Sequence, residues 1–215
     1  MLMPNAKTKL FLIRHGETYW NAEQRMQGQK DSLLTERGQA QAQAVAERLR
    51  HASIQHIYAS DLQRVLDTAQ PLAHYTGHAI QVETHLRERA YGIFEGLTFA
   101  DAERKHPHVF AEYSVDRYAP DFEIPGAETV RQLSERGQAI LQVLAKRHPG
   151  KRVAVFSHGG LLGAILRYTL GVPLGVRHSF SLANGSLSII EQAPAGWRVV
   201  TLGDVCHLHD HEHSH

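Results

Sequence analysis

Residues Leu10-Phe11-Leu12-Ile13-Arg14-His15-Gly16-Glu17-Thr18 (LFLIRHGET) decide how this chain folds. The four apolar residues predict a short buried strand, and the glycine predicts a turn directly after it. Arg14 and His15 are therefore expected side by side at the end of the strand, where both can meet a ligand. A guanidinium group offers a rigid fork of donors to phosphate oxygens, and an imidazole can attack phosphorus or carry a proton near neutral pH. The pair indicates phosphate chemistry.

Further strands and helices alternate along the chain after this motif. Predicted strands cover Lys9 to Ile13, Ile54 to Ala59, Ala79 to Val82, Arg152 to Phe156, Gly185 to Glu191 and Trp197 to Leu202. Predicted helices cover Thr35 to His51, Asp61 to Thr76, Glu128 to His148 and Gly159 to Leu170. This alternation is typical of an α/β fold, and we expect a three-layer αβα sandwich with a mostly parallel central sheet. The last two strands can pair antiparallel around the turn from Ala193 to Gly196.

Three predicted strands end in polar residues that suit one shared site. Arg64 lies in the helix that follows the second strand, and His158 directly follows the fourth. The carboxyl ends of parallel strands face one crevice, which is where such sheets bind ligands. We expect this crevice to hold four residues that are distant in sequence, namely Arg14, His15, Arg64 and His158. Helix N-termini at Asp61 and Gly159 are expected to add free N–H groups for a phosphate.

Each of these features alone has a simpler explanation. An Arg-His pair can be a surface accident, Asp61 can be an N-cap, and His158-Gly159-Gly160 can be a turn. All three features lie at the ends of predicted strands, and this coincidence favours the functional interpretation.

Residues of about 92–126 follow no regular period and differ from the rest of the chain. Six aromatic residues occur there among prolines and charges: Phe94, Phe99, Phe110, Tyr113, Tyr118 and Phe122. We expect a small irregular, partly helical cap inserted in a single domain over residues 1–206. Such a long excursion often forms a lid or binding loop, although the aromatic side chains can also serve only to fix the excursion to the sheet.

Composition limits the classes of partner. The 215 residues include 23 Lys and Arg against 22 Asp and Glu, so no basic field points to nucleic acid or to an anionic membrane. Cys206 is the single cysteine, which excludes an intrachain disulfide and fits a reducing cytoplasm. The apolar stretch Leu161 to Val172 is interrupted by Arg167 and is too short to cross a bilayer. A cytoplasmic protein is expected, and no pattern predicts its oligomeric state.

The C-terminal residues 207–215 are rich in histidine. His207, His209, His211, His213 and His215 alternate with other residues. We expect a disordered tail and no specific metal site, because nothing predicts a packed shell around these side chains. The alternative is a tail that chelates Ni²⁺, Cu²⁺ or Zn²⁺.

Seven short motifs together resemble the histidine phosphatase superfamily, which includes cofactor-dependent phosphoglycerate mutases and many small phosphatases. They are Leu12 to Thr18, Trp20-Asn21, Met26-Gln27-Gly28, Leu34-Thr35 through Gly38, Ser60 to Arg64, Leu86-Arg87-Glu88 and Ser157 to Gly160. Three segments look more like the compact phosphatases of this superfamily: the Gln27-Gly28 region, Glu95-Gly96 and the ending Leu202-Gly203-Asp204-Val205.

This resemblance implies a role for each matching residue. His15 would be the nucleophile that takes the phosphoryl group, and Glu88 would be the proton donor. The oxygens would be held by Arg14, Arg64 and His158. Residues that match the lining of the phosphate site are Asn21, Gln27 and Gly28, with Gly159 at the start of its helix.

The chemistry of a phosphohistidine intermediate requires no metal and no cofactor. The leaving alkoxide needs a proton, and we expect partial burial beside Leu86 to keep Glu88 protonated for this step. The rival acids are Glu17, Glu83 and Glu95.

Selectivity is expected to depend on the cap. Arg89 follows the acid as in the mutase motif, where that Arg helps to bind a carboxylate, but it can equally be a solvated surface residue. Phe99 stands about where the mutases have a lysine. We predict a metal-independent phosphatase acting on a small phosphorylated metabolite. A phosphoglycerate mutase is the alternative, and a non-catalytic binding protein on the same fold is a third possibility.

Overall fold

A computed structural model describes residues 7–176, 180–193 and 196–209. Six strands form one sheet in the order β3-β2-β4-β1-β5-β6. Their bounds are β1 (Lys9–Arg14), β2 (His56–Ala59), β3 (Ile80–Val82), β4 (Arg152–Ser157), β5 (Leu187–Ala193) and β6 (Gly196–Asp204). The first four strands pair parallel, whereas β5 pairs antiparallel with β1 and β6. The predicted α/β class with a mostly parallel sheet is confirmed.

Helices cover both faces of this sheet. They are α1 (Tyr19–Ala22), α2 (Glu36–Leu49), α3 (Gln63–Thr76), α4 (Phe99–Lys105), α5 (Pro107–Val115), α6 (Val130–Arg147), α7 (Gly159–Leu170) and α8 (Cys206–His209). Successive residues of β1 point to opposite faces, as strand geometry requires. Leu10 and Leu12 pack in the core beneath α6 and α7, whereas Phe11 and Ile13 pack in the core beneath α2 and α3. These two cores make the three layers.

The start of α3 differs from the predicted one. The helix begins at Gln63, with Leu62 as N-cap, and not at Asp61. The Asp61 carboxylate instead accepts hydrogen bonds from Arg87 at 2.8 and 2.5 Å, and these bonds hold its pKa below the usual range. The amides of Gln63 and Arg64 donate to the carboxylate of Asp31, which lies outside the helix. The N-terminus of α3 is therefore satisfied by the protein and is not open to a phosphate.

The segment that was predicted as a cap contains α4, α5 and a 3₁₀ turn over Gly92–Phe94. It has a small core, completed by Met26 from outside the segment, in which Phe94 and Tyr113 are buried, while Phe99 stays 43% exposed. A bridge between Tyr91 and Ala127 joins the two ends of the segment. Its aromatic residues are thus divided between a packing role and an exposed position.

The C-terminal end follows a different course from the predicted tail at 207–215. His207 lies in α8, is buried, and donates from Nε2 to the carbonyl oxygen of Gly185 at 2.9 Å. This packing moves the start of any tail beyond His207, and residues 210–215 lie outside the described residues. Within the described ranges, no three His, Cys, Asp or Glu side chains are grouped to hold a metal. No helix in the described part of the chain is long and apolar enough to cross a membrane.

Candidate active site

A cavity of about 570 Å³ opens at the carboxyl ends of β1 and β4, beneath the cap. It brings together nine of the ten residues that were predicted for the site: Arg14, His15, Asn21, Gln27, Gly28, Arg64, Glu88, Arg89 and Gly159. The tenth, His158, is fully buried behind His15, with ring centroids 5.3 Å apart. Strand ends that are distant in sequence therefore converge on one pocket.

His15 is buried, and a hydrogen bond fixes its tautomer. Its side chain is 3% exposed, and Nδ1 is 2.7 Å from the carbonyl oxygen of Gly16. Because a carbonyl only accepts, Nδ1 carries the proton and Nε2 keeps its lone pair. Burial and the nearby charges of Arg14 and Arg64 place the pKa of His15 well below its ordinary value. The imidazole is consequently neutral at pH 7, which is the form that can attack phosphorus.

Arg14 and Arg64 enclose His15 and each keeps one buried donor free. Arg64 donates from its two terminal nitrogens to the carbonyls of Lys30 and Gly28, to Asp31, and to Nδ1 of His158, at distances of 2.7 to 3.1 Å. Arg14 donates to the carbonyl of Leu182 at 2.5 Å. The Nε atoms of both arginines are buried without a partner. Buried donors without a partner are rare, and two beside one imidazole suit an anion.

His158 contacts Arg64 and does not line the cavity. Its Nδ1 accepts from Arg64 at 3.1 Å, and its Nε2 is 3.1 Å from the hydroxyl oxygen of Ser60. Both ring nitrogens are thereby occupied by the protein. Burial and the adjacent charge of Arg64 place the pKa of His158 well below its ordinary value. In this arrangement the ring orients Arg64, whereas the resemblance implied direct contact with phosphate oxygens.

Glu88 is half-buried and faces three backbone amides. Its carboxylate oxygens accept from Arg89 N at 2.8 Å, Gly160 N at 2.9 Å and Leu161 N at 3.1 Å. Glu88 is thus partly buried beside Leu86, as expected, and its immediate partners are these three backbone amides. These bonds also occupy the amides of Gly160 and Leu161 in the first turn of α7, whose N-terminus was predicted to serve a phosphate. The distance from Glu88 to this helix is fixed closely, because a Cβ on Gly160 would lie 2.3 Å from Oε1.

The three rival acids have other partners. Glu17 accepts from Thr35 at 2.9 Å, Glu83 pairs with His85 at 2.7 Å, and Glu95 accepts from the amides of Gln29 and Tyr91 at 2.9 and 3.0 Å. None of the three lines the cavity as far as the structure describes the chain. Glu88 is the one carboxylate among the described lining residues.

Arg89 lies inside the protein, so the interpretation as a solvated surface residue is wrong. It is 5% exposed, donates from Nε to the carbonyl of Glu128 at 2.7 Å, and lies 5.4 Å from the ring centre of Tyr91. It lines the cavity together with Arg117 and the aromatic rings of the cap. The wall remote from His15 therefore combines positive charge with apolar surface.

Two residues that support the site were not predicted. Asp31 binds Arg64, and Asn184 donates from Nδ2 to the carbonyl of His15 at 3.0 Å and to Oδ1 of Asn21 at 3.1 Å. Asn184 follows Leu182 in the loop before β5, far from every motif. No sequence motif marks either residue, because each contacts residues that are distant along the chain.

Comparison with known proteins extends over nearly the whole chain. A family model of the histidine phosphatase superfamily (branch 1) matches residues 10–205. A protein of Cronobacter sakazakii named probable phosphoglycerate mutase GpmB is 38% identical over 211 residues, covering 93% of this chain and 94% of that protein. YhfR of Bacillus stearothermophilus has a TM-score of 0.87 at 32% identity, covering 94% of this chain and 99% of its own.

A second solved structure is that of phosphoserine phosphatase from Entamoeba histolytica in complex with 3-phosphoglyceric acid. It has a TM-score of 0.82 at 28% identity and covers 94% of this chain and 99% of its own. The matches confirm the predicted family and the predicted enzyme class. The chain with this buried Arg-His site belongs to the histidine phosphatase superfamily.

Proposed function

We propose that this protein is a metal-independent phosphatase that hydrolyses small phosphate monoesters through a phosphohistidine on His15. The observation that carries the proposal is the neutral, buried His15 beside the free Nε donors of Arg14 and Arg64. A nucleophile with its lone pair on Nε2 and two fixed cations next to it matches the needs of phosphoryl transfer.

In the first step, Nε2 of His15 attacks phosphorus and the bond from phosphorus to the leaving oxygen breaks. The Nε donors of Arg14 and Arg64 stabilise the charge on the transferred oxygens. Glu88 gives a proton to the leaving oxygen, and such a positioned acid contributes roughly a hundred- to ten-thousand-fold. In the second step the Glu88 carboxylate takes a proton from water, the water oxygen bonds to phosphorus, and the bond from nitrogen to phosphorus breaks. Inorganic phosphate and neutral His15 result.

The remote wall of the cavity supports a leaving group that carries a carboxylate. Arg89 and Arg117 add positive charge there beyond what one phosphate needs. Two relatives agree with this choice: one is named a phosphoglycerate mutase, and the phosphoserine phosphatase holds 3-phosphoglyceric acid. We propose phosphorylated carboxylic acids as the preferred substrates. Apolar side chains line the cavity together with these arginines, so the leaving group of the substrate can also carry an apolar part.

Trapping of the intermediate tests the proposal directly. With a chelator present, the protein is expected to release phosphate from p-nitrophenyl phosphate and to carry an acid-labile phosphoryl group after rapid quenching. His15→Ala should lose both, while His108→Ala, a change at an exposed cap residue, should keep both. Equal hydrolysis by the parent and His15→Ala would overturn the assignment of the nucleophile. Binding of phosphate without any turnover would favour the non-catalytic alternative.

A phosphoglycerate mutase is the second candidate, favoured by the 38% identical relative of that name. A mutase returns the phosphoryl group to the substrate, whereas a phosphatase passes it to water. The two activities separate in one assay with 3-phosphoglycerate and a trace of 2,3-bisphosphoglycerate. Phosphate release supports the phosphatase, and rapid isomer exchange without release would replace it by the mutase.

A further inference from the structure

A partly buried ion pair lies next to the cavity and does not line it. Arg136 on α6 binds Glu128 through two parallel hydrogen bonds, from Nε at 2.8 Å and from Nη2 at 2.7 Å. Both side chains are about 15% exposed. Such a bidentate arrangement fixes the plane of the guanidinium as well as its position.

The remaining donors of Arg136 point to a single backbone segment. Nη1 donates to the carbonyls of His85 and Arg87 at 2.7 and 2.8 Å, and Nη2 donates to the carbonyl of Glu88 at 3.3 Å. All five N–H groups of the guanidinium are thereby used. Three of the five bonds hold the main chain that carries the proposed acid.

Glu128 holds the same segment from its other end. Its amide donates to the carbonyl of Ala90 at 3.0 Å, and its carbonyl accepts from Nε of Arg89 at 2.7 Å. The backbone on both sides of Glu88 is therefore bound to the Arg136–Glu128 pair. The carboxylate of Glu88 is bound separately, by the amides at the start of α7.

We infer that Arg136 and Glu128 are positioning residues for proton transfer by Glu88. The inference rests on the proposed function, in which Glu88 protonates the leaving oxygen. The pair does not reach the cavity in the described residues, so it acts only through the placement of Glu88. A proton donor that is displaced by about 1 Å loses on the order of a hundred-fold in rate.

A comparison of substrates with different leaving groups reveals whether Glu88 is displaced. An alkoxide must be protonated as it leaves, whereas p-nitrophenolate departs without help. The kcat/KM value reports the steps through transfer to His15 and is independent of the later hydrolysis. Arg136→Lys keeps the charge but loses the fork of donors. We expect it to lower kcat/KM for an alkyl phosphate about 10- to 100-fold, and to change kcat/KM for p-nitrophenyl phosphate less than about three-fold.

Arg131→Lys is the matched control, because Arg131 lies on the same helix and forms a similar bidentate pair with Asp121 on the surface. It should change neither value. Equal losses for both substrates in Arg136→Lys, or no loss for the alkyl phosphate, would overturn the inference. A purely structural role predicts equal losses, since a poorly folded fraction hydrolyses both substrates less.

Glu88→Gln, measured with the same two substrates, separates this inference from the proposed function. If Glu88→Gln lowers both values equally, then the acid assignment fails. If it lowers only the alkyl phosphate value and Arg136→Lys does not, then the positioning role alone fails. Should Arg136→Lys not fold, the isosteric Glu128→Gln provides the same readout, because it removes the negative charge and one of the two acceptors of the guanidinium. An unselective loss in that variant would also overturn the inference.

Discussion

Asp31 fixes Arg64 through both the side chain and the main chain. Its Oδ1 accepts from Nη1 of Arg64 at 2.9 Å and from the Arg64 amide at 3.4 Å, while Oδ2 accepts from the amide of Gln63. One carboxylate thus accepts from the first amides of α3 and fixes the orientation of the buried Arg64 side chain. With the terminal nitrogens of Arg64 occupied, the free Nε is the donor that remains for a ligand.

Asp31→Asn is expected to weaken the site more than the fold. The change removes the charge that holds Arg64 and retains one side-chain acceptor for the helix amides. We expect kcat/KM for p-nitrophenyl phosphate to fall about ten-fold, and the free energy of unfolding to fall by about 1 kcal/mol. Steady-state kinetics and urea unfolding measure the two effects. Asp67→Asn, at an acid that binds Gln63 on the same helix, should leave kcat/KM unchanged; equal losses in both variants would contradict the role of Asp31.

Gly160→Ala is expected to displace Glu88. The added methyl group would lie 2.3 Å from Oε1, a distance that real contacts do not reach. We expect kcat/KM for an alkyl phosphate to fall at least about ten-fold relative to that for p-nitrophenyl phosphate. Gly163→Ala is the comparison on the same helix: Gly163 also lines the cavity, but a methyl group there meets no atom within 4 Å and so does not touch Glu88. A shift in the relative values for Gly163→Ala as large as that for Gly160→Ala would remove the link to Glu88.

His15 is expected to titrate well below pH 6.5 in the free protein. Burial is the first cause of its low pKa, and the charges of Arg14 and Arg64 are the next. The titration of ¹⁵N-labelled histidine followed by NMR measures the pKa directly, whereas activity also reflects the ionisation of the substrate. Arg14→Met should raise the pKa of His15 by removing one repelling charge, and the surface change Arg131→Met should not. A His15 that is protonated at pH 7 would refute the neutral nucleophile.

Acid is expected to destabilise the fold partly through His56 and His148 at the opposite end of the sheet. Their ring centroids are 3.9 Å apart, and burial is the first cause that lowers the pKa of each. The next cause is the charge of His78 for His56, and the charge of His56 for His148. Below about pH 6.5 the unfolded chain binds more protons at these positions than the folded one, so the free energy of unfolding falls as pH falls.

The matched variants are His56→Gln and His108→Gln. His56→Gln should reduce the loss of stability between pH 7 and pH 5, as measured by urea unfolding. His108, which is exposed on the cap, should contribute little when changed to Gln. An unchanged or steeper pH dependence in His56→Gln would contradict this source of acid sensitivity.

Phe99 is expected to contact the leaving group, because it is 43% exposed and lines the cavity. Phe99→Ala should lower kcat/KM for 2-naphthyl phosphate several-fold more than for phenyl phosphate. The larger naphthyl ring loses more apolar contact when the Phe99 ring is removed. Leu33→Ala, at another exposed apolar residue, should affect neither. Equal effects on both substrates would exclude contact between Phe99 and the larger ring.

The strands and most helix ends could be predicted because their signals are local. The buried run of β1 and the terminating glycines Gly77 and Gly171, both in the left-handed conformation, depend on neighbours within a few residues. The convergence of Arg14, His15 and Arg64 followed from the rule that parallel strands share their carboxyl edge.

What could not be predicted depends on contacts between distant segments. The start of α3 is determined by Asp31, which lies 32 residues before Gln63. The polar surroundings of Glu88 come from α7, more than 70 residues further along. Neither contact leaves a periodic pattern in the sequence, because each depends on one side chain that reaches one backbone position.

The bridge between Tyr91 and Ala127 closes the cap on itself and marks a natural junction. Glu88 lies on the sheet side of this junction, held by α7 and by Arg136 of α6. Residues 92–126 are therefore joined at their base, and a second bridge from Arg25 to Thr98 attaches them to the loop after α1. Any replacement of residues 92–126 must therefore preserve the attachment to Arg25 as well as the junction at Tyr91 and Ala127.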